Sequence, residues 1–162
     1  MSSLLPSSFV SLAEALDIVT GWRNSGQRIV FTNGCFDLLH PGHIDYLKRA
    51  RALGDVLIIG LNDDESVRTL KGPLRPINPI QDRATMLAAL ACVDLVVPFA
   101  EETPIKLISA LLPDVLVKGG DYTPENIVGA KEVCAHGGEV VVMPFIGGYS
   151  SSSLIQRIVD RH

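Results

Sequence analysis

The chain has 162 residues, 47% of them hydrophobic, which supports one packed core and leaves no room for a second domain of ordinary size. Fourteen Lys and Arg against eighteen Asp and Glu give a formal net charge of -4, so no overall field draws the surface toward nucleic acid, although a local basic pocket is compatible with it. No run approaches the roughly 18 apolar residues that span a bilayer, Met1–Phe9 has no basic residue ahead of an apolar run, and the cysteines (Cys35, Cys92, Cys134) are odd in number and widely spaced. These features predict a cytoplasmic protein with no membrane partner and no disulfide framework.

Residues 1–28 read as a short polar leader and a helix, and residues 29–162 as the core of one domain. Ser11 and Glu14 have capping-box spacing, Leu12, Leu16 and Val19 recur at helical intervals, and Gly26 can end the helix. Ile29–Thr32 is a short apolar strand, followed by a glycine-containing loop and a helix expected over His43–Leu53. Val56–Leu61 has the continuous aliphatic character of a strand buried on both faces, and the acidic Asn62–Glu65 suits the next helix N-terminus. Lys71–Pro76 holds too many breakers for regular structure and reads as an exposed basic loop. Asn78-Pro79 supplies N-cap and first-turn residues for a helix reaching Cys92; Val93–Val97 is the next strand, and Thr103-Pro104 repeats the helix start for Ile105–Leu112. Val115–Val117 is a strand running into Gly119-Gly120, Glu139–Met143 is the fifth, and Leu154–Val159 is the last helix. The alternation predicts an α/β fold: a Rossmann-like, doubly wound sheet of about five parallel strands with helices on both faces.

In such a sheet ligands bind beyond the carboxyl ends of the strands. The segment Thr32-Asn33-Gly34-Cys35-Phe36-Asp37-Leu38-Leu39-His40-Pro41-Gly42-His43 leaves a strand there and enters a helix whose free N–H groups favour an anion. His40 and His43 can aim two donors at one phosphorus centre, and Gly42 lets a ligand near the backbone. The same residues could instead only cap the helix, or His40, His43 and Cys35 could hold a metal. Gly148-Tyr149-Ser150-Ser151-Ser152-Ser153 offers hydroxyls ahead of another helix, where a plain N-cap and solvated linker is the alternative. Lys71, Arg83 and Lys118 are candidate cations for offsetting phosphate charge, Lys118 most of all because Gly119-Gly120 leaves space beside it. Asp37 could orient His40, reach a magnesium-bound water or make a loop hydrogen bond.

Thr32-x-Gly34-x-Phe36-Asp37-x-x-His40-x-Gly42-His43 resembles the first signature of the HIGH-motif nucleotidyltransferases, and Gly148-x-Ser150-Ser151-Ser152 resembles their second, Gly-x-Ser-Thr-Thr. Phe145-Ile146-Gly147-Gly148 stands where the cytidylyl branch has Arg-Thr-x-Gly, which weighs against cytidylyl specificity. Lys71-Gly72-x-x-Arg75-Pro76-x-Asn78-Pro79-x-x-x-Arg83 and Lys118-Gly119-Gly120-Asp121-Tyr122 are similar to the ADP-heptose-forming branch, and the likeness runs from about Ile29 to Ile158. The resemblance implies catalytic roles for His40, His43 and Lys71. It implies nucleotide contacts from Thr32, Asn33, Gly34, Cys35, Phe36, Gly42, Arg83, Ser150, Ser151 and Ser152. Sugar-phosphate contacts follow for Asp37, Lys118, Gly119 and Asp121, with Mg2+ held mainly by the triphosphate of ATP. The implied reaction joins AMP from ATP to D-glycero-β-D-manno-heptose 1-phosphate, a sugar 1-phosphate, on the way to lipopolysaccharide core sugars. A separate sugar kinase is expected upstream, because nothing in the chain corresponds to the kinase fused to this domain in many bacteria. A cytidylyltransferase acting on glycerol 3-phosphate or a related alcohol phosphate is the alternative enzyme, and a non-catalytic nucleotide-binding regulator the alternative class. Apolar helices leave a homodimer open.

Overall fold

The aliphatic run Val56–Asn62 is buried at every position and forms β2, flanked by β1 (Ile29–Gly34) and β3 (Leu95–Phe99), in the computed structural model, which describes residues 6–161. With β4 (Val115–Gly119) and β5 (Glu139–Met143) it makes a five-stranded parallel sheet in the order β3-β2-β1-β4-β5. The winding reverses between β1 and β4, so the crevice at their carboxyl ends is the expected ligand position.

Strand side chains alternate in direction, and this sorts the core into two layers. Ile29, Phe31, Ile58, Val97 and Leu116 face α1 (Leu12–Asn24), α5 (Ile105–Leu111) and α6 (Ala130–Ala135). Val30, Leu57, Ile59, Val96 and Val117 face α2 (Pro41–Arg51) and α4 (Ile80–Ala88). Each such buried aliphatic side chain contributes about 1.5–3 kcal/mol, so both layers are needed to offset the entropy of ordering the chain. Two further helices, α3 (Asp64–Lys71) and α7 (Ser151–Val159), follow β2 and β5.

Local chemistry accounts for the element ends. Ser11 and Glu14 form the expected capping box, and Gly26 takes a φ of +73° just beyond α1. The leader also pairs with the sheet: Val10 donates to the Val96 carbonyl at 3.1 Å and Val96 to that of Ser8 at 2.8 Å, which covers the exposed edge of β3. At the amino ends of the strands Asp55, Asp94 and Asp114 accept from the amides of Arg28, Leu57 and Ile29 at 2.7–2.8 Å, fixing the sheet at the end away from the crevice.

Several boundaries differ from the sequence expectation. α2 begins at Pro41 because His40, not a later residue, is its cap; α7 begins at Ser151 because Ser150 caps it. Asn78 does not cap α4, since its side chain donates instead to the Asp37 carbonyl at 2.8 Å, and Pro79 takes the cap position without a side-chain bond. That helix stops at Ala88, so Cys92 lies beyond it, and the following strand starts at Leu95. The short α6 carried too little periodicity to be read. Among the described residues no helix is long and apolar enough to cross a membrane.

Candidate active site

The loop that leaves β1 turns sharply at Phe36, whose φ is +45°, and enters α2 at His40. His40 Nδ1 accepts the His43 N–H at 3.3 Å, so the imidazole is a helix cap. That bond needs a bare Nδ1, which places the proton of neutral His40 on Nε2. The His40 and His43 rings stack, with centroids 3.8 Å apart and planes inclined by 17°. Two stacked imidazolium ions would repel, and both groups are held toward the neutral form: burial lowers the His40 pKa, while burial and then His40 push that of His43 down to about 4. The Leu38 carbonyl acts in the opposite direction on His43 without forming a hydrogen bond to its buried Nδ1, which has no partner among the described residues.

The amino end of α7 meets this loop. Ser151 donates to the Leu38 carbonyl at 3.2 Å, and Tyr149 lies over His40 with ring centroids 6.1 Å apart. Arg49 of α2 donates to the Pro144 carbonyl at 2.9 Å, tying the same two segments farther along. The first turns of α2 and α7 are thereby brought to one place, where their free amides favour an anion. Ser150 is occupied as a cap, accepting the Ser153 N–H at 2.9 Å, whereas Ser152 is exposed. A Cβ on Gly42 would come within 3.0 Å of both His40 Nδ1 and the Tyr149 Cβ, so this glycine makes room for α7's lead-in as well as for any ligand.

Other predicted residues occupy different roles. Arg83 is corrected from a free phosphate-facing cation to a buried strut: at 0% exposure it donates to the carbonyls of Cys35 (2.7 Å), Asn62 (2.8 Å) and Asn78 (3.0 Å) and to the Asp64 carboxylate (2.7 Å). Asp37, also buried, accepts from the Ile77 and Asn78 amides and from Arg75 Nε at 2.6 Å, which clasps the 72–79 loop to the signature loop and removes Asp37 from acceptor contact. Burial raises its pKa, but the Asn78 and Ile77 amides and Arg75 override that and leave the carboxyl below its ordinary value. Thr32 is fully buried with its hydroxyl 2.7 Å from that of Tyr46, so a phosphate would have to displace Tyr46 to reach it. The space at Gly119 is filled by the Phe145 ring, which a Cβ there would strike, and Tyr46 would stand 3.1 Å away. Gly34 similarly accommodates Phe36, at 2.9 Å from a built Cβ.

Lys71 is exposed at the end of α3, near enough for its charge to act on the Cys35 thiol, whose pKa burial nonetheless raises. Asn33 and Lys118 project from β1 and β4 on the α1/α5 face and line a cavity of about 250 Å³, while Asp121 lies on the exposed loop beyond. Burial lowers the Lys118 pKa, and the Tyr122 ring sits 5.6 Å from its ammonium. The cavity walls include Asn62, Glu102 and Asn126, which sequence reading missed; the one signal was an asparagine closing the otherwise aliphatic β2 run. A more open depression of about 550 Å³ runs along His40, Pro41, Ile44 and Lys48. Among the described residues no group of three or more His, Cys, Asp or Glu is placed to hold a metal ion.

Comparison with known proteins agrees with this architecture. The cytidylyltransferase-like family model matches residues 31–157. The bifunctional protein HldE of Syntrophotalea carbinolica is 53% identical over 156 residues, covering 96% of this chain and 32% of the relative. HldE of Alkalilimnicola ehrlichii is 59% identical over 145 residues, covering 90% and 30%. The chain therefore spans about a third of the length of the curated relatives it matches. A solved lipopolysaccharide core biosynthesis protein from Thermoplasma volcanium superposes with a TM-score of 0.59 at 27% identity, over 75% of this chain and 98% of that one.

Proposed function

The chain belongs to the cytidylyltransferase-like family, and we propose that it transfers AMP from ATP to D-glycero-β-D-manno-heptose 1-phosphate, giving ADP-heptose and pyrophosphate. The observation that carries the reading is the joined amino ends of α2 and α7 with His40 between them, its Nδ1 engaged and its Nε2–H free to donate. An oxygen of the acceptor phosphate forms the new bond to the α-phosphorus as the bond to the departing pyrophosphate breaks. The acceptor is already anionic at neutral pH, so no general base is required. His40 and the two helix ends supply donors where charge builds on the triphosphate, and Lys118 and Lys71 offset the repulsion between two anions. Magnesium enters with the triphosphate and neutralises part of its charge; no protein cage for it is needed.

Support for the sugar comes from the relatives: proteins named bifunctional HldE match over roughly a third of their length, as a domain fused to a second activity would, and the Thermoplasma structure is a lipopolysaccharide core biosynthesis protein. On this reading a sugar kinase supplies the substrate, and the reaction takes place in the cytoplasm. The test is pyrophosphate release with magnesium and ATP, CTP or GTP, each against the heptose phosphate and glycerol 3-phosphate. Release with ATP and heptose phosphate alone is expected; release with CTP and glycerol phosphate would replace the substrates.

A further inference from the structure

The cavity on the α1/α5 side of the sheet has a polarity that the signature loop does not explain. Asn33 and Asn62 project into it from β1 and β2 and Lys118 from β4, while Glu102 reaches it from the β3–α5 loop and Asn126 from the loop after β4. Its volume of about 250 Å³ lies below the roughly 300–1,000 Å³ of sites that enclose drug-sized ligands, so it takes a piece the size of one sugar rather than a whole nucleotide. Three amide side chains that both donate and accept line it among apolar neighbours such as Leu70, Phe99 and Ile127, and this mixed wall matches a sugar, whose hydroxyls do the same between C–H faces.

The two charges in the wall differ in sign and stand apart. Lys118 is on β4 and Glu102 lies in the loop after β3, with β2 and β1 between the two strands. Lys118 is partly buried and has no carboxylate against it among the described ion pairs, so it lacks a counter-ion at the end nearest the signature loop. Glu102 is exposed toward the cavity and repels phosphate at the far end.

Building on the adenylyl-transfer reading, we infer that this cavity holds the polyol part of the acceptor, with Glu102 as a specificity-determining residue. Its carboxylate accepts hydrogen bonds from hydroxyls at the end remote from Lys118 and rejects an acceptor phosphorylated there. The acceptor is thereby bound in one direction only, its single phosphate toward the nucleotide.

Glu102→Gln and Glu102→Ala test this, because the side chain is exposed and its loss leaves the core intact. Both are assayed with ATP and either the heptose 1-phosphate or the same sugar carrying a phosphate at each end. For Glu102→Ala the KM for the monophosphate is expected to rise about tenfold or more with that for ATP unchanged, as for a lost hydrogen bond to a charged group. Glu102→Gln is expected to narrow the discrimination against the bisphosphate about tenfold. Wild-type turnover with unchanged acceptor KM and unchanged discrimination in both variants would overturn the inference while leaving the reaction standing. A rise confined to the KM for ATP would assign the cavity to the base, and no turnover by the wild-type protein would remove the reading on which the inference rests.

Discussion

Arg83→Met separates a structural arginine from a phosphate-binding one. The guanidinium is fully buried and makes three bonds to carbonyl groups and one to Asp64. Hydrogen bonds to charged groups are worth about 1.5–3 kcal/mol apiece, so a plain sum would reach roughly 6–12 kcal/mol. That sum overshoots, because the bonds share one group and the Asp64 side chain, 30% exposed, keeps access to water after the change. The range for breaking a buried pair, about 3–5 kcal/mol, is the better figure. At roughly 2–4 °C per kcal/mol for a domain of this size, the expected drop in Tm is about 6–20 °C. Urea and thermal unfolding of the purified variant read the effect directly, and Arg83→Lys, which keeps the charge but loses the fork, should recover only part of it. A variant that unfolds with the wild-type protein yet shows a raised KM for ATP would refute the strut and return Arg83 to the triphosphate.

His43→Ala is expected to lower nucleotidyl transfer about a hundredfold or more with the fold retained, checked by kcat beside circular dichroism; near-normal turnover would take His43 out of the chemistry. The same histidine sets a pH dependence. Its folded pKa of about 4 lies below the ordinary 6.5, so the unfolded chain binds a proton in that window that the native chain refuses. Its contribution is thus fully present above about pH 6.5 and lost as pH falls toward 4, and urea midpoints of His43→Gln should lose less over that interval than those of the wild type. Asp37 works in a lower window: its depressed pKa gives stability that is present above the usual carboxylate range and lost as pH falls through the folded value, so Asp37→Asn should flatten the midpoint curve below about pH 4. Gly119→Ala is expected to swing the exposed Phe145 ring away from Tyr46, destabilising the protein by about 0.5–1.5 kcal/mol in urea as the aromatic contact is lost; a larger drop would mean that the ring cannot move aside.

The sheet was legible because its strands are short aliphatic runs bounded by glycine, proline and cap residues, and such local signals survive folding largely unchanged. Ser11 with Glu14 and Gly26 are of this kind. The predicted cap at Asn78 failed for a nonlocal reason: Asn78 found a stronger use on Asp37, forty-one residues away in sequence; at α5 Pro104 takes the cap position in place of Thr103, without a side-chain bond. Charged site residues misled in the same way. Nothing in the spacing of Asp37, Arg75 and Arg83 tells whether each faces solvent or a partner, and the fold spends all three on holding the signature loop. Leader pairing to β3 and the Glu102 wall of the cavity likewise depend on neighbours brought together only by tertiary structure.

The period of two along the strands also bears on how two anionic substrates could share one crevice. Thr32 points to the α2 side, where Tyr46 receives it, while Asn33 points to the other side and lines the cavity. On the proposed reading the nucleotide lies against the helix ends on the first side and the acceptor's hydroxyls on the second, so only the reacting phosphates must approach one another across the rim of β1 and β4. Lys118 is placed at that rim, half-buried and with no ion-pair carboxylate among the described residues, where it would attract the acceptor phosphate before the nucleotide's charge could repel it. Alternation in direction at Thr32 and Asn33 thus gives the single loop after β1 two chemically separate neighbours, and this supports reading the two compartments as halves of one site.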